Sequence, residues 1–227
     1  MAKIENRESE VEHRLPADAL LRRVRWDAAQ VEAWRALLSE AERGRLDGYG
    51  VEKRRREFLL GRVAARQLLA GVLGCAPAEA PMEVAGSGAV EVRGGHGLRL
   101  SISHTGAEAV AAVAERPVGA DLERIQPRPE RLHRFLLAEA ERPLLEQRAL
   151  SADAAFALCW ALKEATLKAL GCGLRRSPKT VRIAKLNAEA RTARLEARGG
   201  ETASFEAQFA RDGKLWLVVA YEAGDRN

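Results

Sequence analysis

Val118-Gly119-Ala120-Asp121-Leu122-Glu123 sets two carboxylates two positions apart in an apolar run, and no other stretch constrains the fold as tightly. The apolar runs Ala109 to Ala114 and Val118 to Leu122 are split by the turn-like Glu115-Arg116-Pro117, which predicts two strands. Alternation along the second strand puts Asp121 and Glu123 on one face. Farther on, Trp160-Ala161-Leu162-Lys163-Glu164-Ala165-Thr166-Leu167-Lys168 reads as the last turns of a helix that starts near Ser151 and ends at Gly171. Trp160, Glu164 and Lys168 recur there at the four-residue spacing that stacks side chains. A third carboxylate and an ammonium therefore stand on a rigid rod.

Like charges at contact distance repel unless a cation or a proton sits between them. A strand Asp-x-Glu with a helix Glu thus suits a hard divalent ion, and magnesium fits best because it takes oxygen ligands and shares its shell with substrate phosphates. On this reading Asp121, Glu123 and Glu164 are the metal ligands, and Lys168 stands one turn on, where a phosphate binds. A plainer reading is also open. Glu164 and Lys168 form an exposed helix pair worth about 0.3 to 0.5 kcal/mol, and Asp121-Leu122-Glu123 is a solvated strand end.

A third segment joins these two. Ser101-Ile102-Ser103-His104-Thr105-Gly106 ends an apolar strand in hydroxyls and an imidazole, one strand's worth of chain before Asp121. Ser-x-Ser-His, Gly-x-Asp-x-Glu and Trp-x-x-Lys-Glu-Ala-x-x-Lys, in that order, resemble the 4'-phosphopantetheinyl transferases, specifically the long, surfactin-synthetase-type branch. Glu52-Lys53-Arg54-Arg55-Arg56-Glu57-Phe58 with Gly61-Arg62 and Arg66 looks like that family's basic N-terminal helix, so the resemblance runs from about Ser39 to Tyr221.

The resemblance implies a pseudo-twofold α+β fold, coenzyme A as co-substrate, and an apo acyl or peptidyl carrier protein as partner. It carries Lys53, Arg56 and Arg62 over as contacts of the coenzyme's 3'-phosphate, and Ser103 and His104 as contacts of phosphate oxygens. A carrier serine is expected to attack the β-phosphorus and release adenosine 3',5'-bisphosphate. Magnesium is then held by Asp121, Glu123 and Glu164, with Glu164 as general base and Lys168 and His104 stabilising the departing phosphate. The chain departs from the family in one place: Gly88-Ala89-Val90 stands where Gly-Lys-Pro or Gly-Arg-Pro is common, and Arg93 and Arg99 are the candidate replacements for the missing cation. A lone His at a strand end is also often only structural, and arginines beside an apolar seam can snorkel.

Composition excludes more than it assigns. The 227 residues are 47% hydrophobic and 30% charged, as in ordinary globular chains. No run of about 18 apolar residues is present for a membrane span, and Met1-Ala2-Lys3-Ile4-Glu5-Asn6-Arg7-Glu8 lacks the apolar core of a signal peptide. A cytoplasmic location without a membrane partner is expected. Cys75, Cys159 and Cys172 are not spaced for zinc and read as reduced thiols. The net charge of +5 favours an anionic partner. Aromatics at 5% and the lack of helix-turn-helix or zinc-finger spacing argue against nucleic acid. Two alternatives stay open: a basic nucleic-acid-binding protein using the helix from Arg54 to Arg66, and a coenzyme A-binding protein without transferase activity.

Along the chain, periodicity predicts helices over Val31 to Leu46, Val51 to Leu73, Arg131 to Leu137, Glu139 to Gln147 and Ser151 to Leu170. Pro143 should kink the fourth. Strands are predicted at Ala89 to Arg93, Leu98 to Ser103, Ala109 to Ala114, Val118 to Leu122, Val181 to Ile183, Arg191 to Ala197, Ala203 to Ala210 and Lys214 to Tyr221. Gly199-Gly200 and Asp212-Gly213 mark hairpins. A long helix followed by a small antiparallel sheet thus occurs twice. The expected fold is α+β with two similar lobes, residues 1–116 and 117–227, whose junction forms the ligand cleft. Two lobes on one chain make a monomer sufficient.

Overall fold

Each half of the chain lays one long helix across an antiparallel sheet of three or more strands. The computed structural model describes residues 19–86, 88–94, 96–146, 149–198 and 202–224. In the first half β1 (Leu20–Arg25) leads into α1 (Val31–Ala36), α2 (Glu40–Asp47) and the long α3 (Glu52–Leu73), then β2 (Met82–Val84), β3 (Val90–Val92), β4 (Arg99–Thr105) and β5 (Glu108–Ala114). In the second, β6 (Val118–Arg124) leads into α4 (Glu130–Leu136), a 3-10 segment Glu139–Glu146 and the long α5 (Ala152–Ala169). There follow β7 (Val181–Asn187), β8 (Thr192–Ala197), β9 (Ala203–Asp212) and β10 (Leu215–Glu222).

The strand orders match. The first half has β1-β5-β4 with a separate β2-β3 pair, and the second has β6-β10-β9-β8-β7. In both, the strand preceding the long helix pairs antiparallel with the last strand of its half. The first half repeats the second with a break between β4 and β3.

Alternation along the strands explains the layering. Ala109, Ala111 and Val113 of β5 meet Leu60, Val63 and Ala64 of α3. The intervening Val110, Ala112 and Ala114 pack against Val118, Ala120, Leu122, Leu217 and Val219 of the other sheet. On the far side Trp216, Val218 and Ala220 meet Phe156, Leu162 and Ala165 of α5. The order is helix, sheet, sheet, helix. β5 reads as an unbroken apolar run because both of its faces are covered, each buried large aliphatic contributing about 1.5 to 3 kcal/mol.

Gly119 sets the distance between β6 and α5. A Cβ there would stand 1.8 Å from the Ala165 carbonyl oxygen and 2.6 Å from the Ala169 nitrogen, so only glycine lets the two backbones touch.

Some expectations change and others fall outside the described residues. The helix expected over Val31 to Leu46 is two helices, because Ser39 Oγ accepts from the Glu42 amide while Glu42 Oε2 accepts from the Ser39 amide, a capping box that starts a new helix. β1 and β2 were not foreseen. Glu139–Glu146 is 3-10 with Pro143 inside it, in keeping with the expected irregularity. Met1 to Glu8, Gln147 and the Gly199-Gly200 hairpin signal lie outside the described residues, whereas the β9–β10 hairpin turns at Gly213 with φ +54°.

Candidate functional site

β4 and β6 are edge strands, and their edges meet. The amides of Ala120 and Leu122 on the free edge of β6 donate to Ser101 Oγ at 3.0 Å and Ser103 Oγ at 3.1 Å. Two steps along β4 match two along β6, so the strands run parallel. Seryl hydroxyls here replace ladder bonds and satisfy edge amides that would otherwise be buried unpaired. Ser103 Oγ in turn donates to Asp121 Oδ1 at 2.8 Å. The Ser-x-Ser spacing is therefore the means by which the first half grips the carboxylate of the second.

Asp121 is 2% exposed. Its Oδ1 also accepts from Lys168 Nζ at 2.7 Å, and that ammonium reaches the Ala120 carbonyl at 3.2 Å and Glu164 Oε1 at 3.5 Å. Glu164 Oε2 accepts from the Trp160 indole nitrogen at 2.8 Å. The Trp160, Glu164, Lys168 stripe read from four-residue spacing is thus realised, with the indole fixing the carboxylate and the carboxylate facing the ammonium. Burial alone would lower the Lys168 pKa, but Asp121 and Glu164 outweigh it and hold the ammonium above its ordinary range. Burial first, and Asp121 second, raise the Glu164 carboxyl.

Glu123 is on the same face but engaged elsewhere. Arg128 Nη2 donates to its Oε1 at 2.5 Å. Burial pushes this carboxyl up to about 7 against the pull of Arg128, and Asp121 and Glu164 add to the rise. The three carboxylates feel one another, yet among the described residues no three His, Cys, Asp or Glu side chains are gathered as a metal cage. Glu123 is paired with Arg128 instead of being gathered with Asp121 and Glu164 into a group of three. Two carboxylates do fit a cation. Asp121 Oδ2 is buried with no hydrogen-bond partner, a costly position for a charged oxygen unless a positive ligand meets it. Magnesium needs only one or two protein carboxylates when waters and phosphates complete its shell.

Beside this cluster opens a cleft of about 450 Å³, lined by Glu57 and Arg62 of α3, Ile102 and His104 of β4, Gly88 to Val90, Lys168, and Leu174 and Arg175 just beyond α5. Gly61 permits the close approach of α3 to β4: a Cβ there would stand 3.1 Å from Ile102 Cγ2. His104 Nδ1 is 3.9 Å from Glu57 Oε2. Desolvation in the cleft lowers the imidazole pKa, opposed by Glu57.

The basic helix divides by residue. Arg62 lines the cleft, stacked on Phe58 at 4.9 Å and 3.2 Å from Glu42. Arg66 turns inward, bound to Glu42 at 2.5 Å and to the Pro77 and Ala78 carbonyls at 2.7 and 2.9 Å, and so ties down the chain after α3. Arg56 lies over Trp26 at 4.4 Å in a separate hollow of about 230 Å³, away from the cleft. Lys53 is mostly exposed, 3.8 Å from Glu57. Of the three expected 3'-phosphate contacts, Arg62 alone is on the cleft wall. Arg56 faces elsewhere because a helix turns about 100° per residue, and Trp26 captures its guanidinium.

Four contributors were missed in the sequence: the edge-capping role of Ser101, and Gly119, Arg128 and Arg175. Only Gly119 carried a local signal, a glycine inside an apolar strand, which marks close backbone approach.

With this geometry established, similarity to known proteins falls where the site lies. A family model described as the 4'-phosphopantetheinyl transferase superfamily matches residues 117–219. Another, the 4'-phosphopantetheinyl transferase N-terminal domain, matches residues 48–114. The 4'-phosphopantetheinyl transferase psf-1 of Bacillus pumilus is 30% identical over 146 residues, 64% of this chain and 63% of that protein. The slr0495 protein of Synechocystis sp., which carries the same family name, is 29% identical over 154 residues, 65% of this chain and 63% of its own length. The match thus spans less than two thirds of either relative.

Proposed function

We propose, since the chain belongs to the 4'-phosphopantetheinyl transferase superfamily, that it moves the phosphopantetheine group of coenzyme A onto a serine of an apo carrier protein. The observation that carries this reading is the meeting of Asp121 and Glu164 at one ammonium, beside a cleft drawn from both halves of the chain. Residues 1–116 and 117–227 are then two lobes with the coenzyme between them, and one copy of the chain suffices.

Asp121 and Glu164 would hold magnesium, which when bound neutralises the diphosphate and polarises the phosphorus under attack. Glu123 joins them only by giving up Arg128. Glu164 takes the proton of the carrier serine, its carboxylate oriented for this by the Trp160 indole. The serine oxygen–phosphorus bond forms as the bridging oxygen–phosphorus bond breaks, and adenosine 3',5'-bisphosphate leaves with that oxygen. Lys168 stabilises the charge that grows there, exchanging part of its hold on Asp121 for a phosphate oxygen, while His104 donates from the opposite wall. Ser103 holds Asp121 in place, a role supported by its 2.8 Å bond to that carboxylate. Of the α3 arginines that would serve a nucleic-acid surface, Arg56, Arg62 and Arg66 are engaged within the fold, at Trp26, Phe58 and Glu42. Among the described residues no helix is long and apolar enough to cross a membrane, and a cytoplasmic site of action accords with a cytoplasmic co-substrate.

Incubation with coenzyme A, magnesium and a panel of apo carriers, read by intact-protein mass spectrometry, should give a phosphopantetheine adduct on at least one carrier. Asp121→Asn and Glu164→Gln should each cut its rate by 100-fold or more. Full turnover by either variant would remove the site described here.

A further inference from the structure

Glu57 of α3 brings to the cleft wall a charge that the ligand should not tolerate. A carboxylate beside bound phosphates repels them. The other acidic groups nearby have a cation in contact: Asp121 and Glu164 meet Lys168, Glu123 meets Arg128, and Glu42 meets Arg62 and Arg66. Glu57 has Lys53 at 3.8 Å, but that ammonium stands mostly in solvent, where its pull is screened.

The two oxygens of Glu57 have different neighbours. Oε1 accepts from the Gly106 amide at 3.1 Å, in the turn between β4 and β5, where Gly106 has φ +59°. That bond fixes the carboxylate against the end of β4 and leaves Oε2 facing His104 Nδ1 at 3.9 Å. The imidazole lies over one turn of α3: Glu57 stands at its Nδ1, while a Cβ at Gly61, four residues on, would be 4.0 Å from its Cδ2. Nε2 is then the ring nitrogen that Glu57 does not claim.

Proton bookkeeping shows what the pair is for. With Nδ1–H turned to a carboxylate, Nε2 of a neutral imidazole has only a lone pair, which a phosphate oxygen repels. Nε2 becomes a donor when the ring takes a second proton, and a carboxylate at Nδ1 stabilises that imidazolium. Burial lowers the His104 pKa, and the charged groups facing the ring follow in falling order: Glu57 of α3 raises it, Lys168 of α5 lowers it and Asp121 of β6 raises it.

We infer that Glu57 is a positioning residue for His104, turning Nε2 towards the coenzyme's phosphate oxygens and holding the ring as an imidazolium once they arrive. The inference rests on the proposed function and deepens it: the ring takes a proton from solvent as coenzyme A binds.

Glu57→Gln isolates the charge, because the amide oxygen still accepts from Gly106 and the fold is kept. Calorimetric titration with coenzyme A and magnesium, from about pH 5 to about pH 8.5 in buffers of different ionisation enthalpy, reads affinity and proton uptake together. Binding to the unaltered chain should take up protons and weaken as pH rises. In Glu57→Gln the ring protonates about one pH unit lower, so binding should be about fivefold weaker near neutral pH and about equal near pH 5, with proton uptake displaced to lower pH. In a His104→Ala background, Glu57→Gln should tighten binding, since only the repulsion is left to remove. Equal or tighter binding by Glu57→Gln near neutral pH, or the same weakening with His104 absent, would overturn the inference and leave the proposed function standing. Failure of the unaltered protein to bind coenzyme A would overturn both.

Discussion

Helices α3 and α5 hold equivalent places, each crossing the outer face of a sheet whose first strand precedes it and pairs with the last, but their charged side chains have different uses. α3 packs chiefly on β5, in the middle of its sheet, and α5 chiefly on β6, at an edge. A helix over a central strand has sheet on both flanks, so Arg56, Arg62 and Arg66 of α3 are absorbed by Glu42, Phe58, Trp26 and backbone carbonyls. A helix over an edge strand has one flank open to whatever meets that edge. Glu164 and Lys168 use it to reach Asp121 and the cleft. Two similar units thus divide the labour: one builds a wall, and on the proposed function the other brings the chemistry.

The largest expected effect tests the edge contact itself. Gly119→Ala forces a carbon into the backbone of α5 and should cost about 3 kcal/mol or more. Gly61→Ala, in the other helix contact, meets only the tip of Ile102 and should cost about 1 kcal/mol. Urea unfolding of the two variants reads the difference, and equal costs would mean that the two helix contacts are alike after all.

Next comes a crossed pair. Arg66→Ala leaves Glu42 and several carbonyls without their partner and should cost about 3 to 4 kcal/mol of stability, with turnover per folded molecule preserved. Lys168→Ala should do the reverse, cutting turnover about 100-fold with a smaller loss of stability. If Arg66→Ala instead lowered turnover in folded protein, the first helix would be more than a wall.

The smallest effect sharpens the same distinction. Arg56→Ala removes a cation–π contact worth about 0.5 to 1 kcal/mol and should change coenzyme A affinity by less than twofold in a binding titration. A tenfold loss would return Arg56 to the ligand.

How far the sequence could be read follows the same division. Where a side chain's role depends on spacing along one element, it was legible: Asp121 beside Glu123 on a strand, Trp160 to Glu164 to Lys168 on a helix, and the long helices themselves. Where it depends on which element arrives opposite, it was not. Nothing local says that Arg128 will claim Glu123, that Trp26 will claim Arg56, or that Ser101 and Ser103 will cap the amides of another strand. Those pairings are decided by packing of segments distant in the chain. β1, with three arginines in six residues, hides its strand character because only Leu21 and Val24 of it are buried. Arg175 stood in a polar run with no periodicity, and only the fold places it on the cleft wall.

The central claim is that Asp121 and Glu164, brought together from a strand and a helix, share one divalent cation that holds the coenzyme's diphosphate. Coenzyme A affinity measured by calorimetry in magnesium and again in chelator tests it most directly, on the unaltered chain and on the Asp121→Asn, Glu164→Gln double variant. Magnesium should tighten binding to the unaltered chain about tenfold or more and have no effect on the double variant. A magnesium effect of the same size in both would contradict the claim.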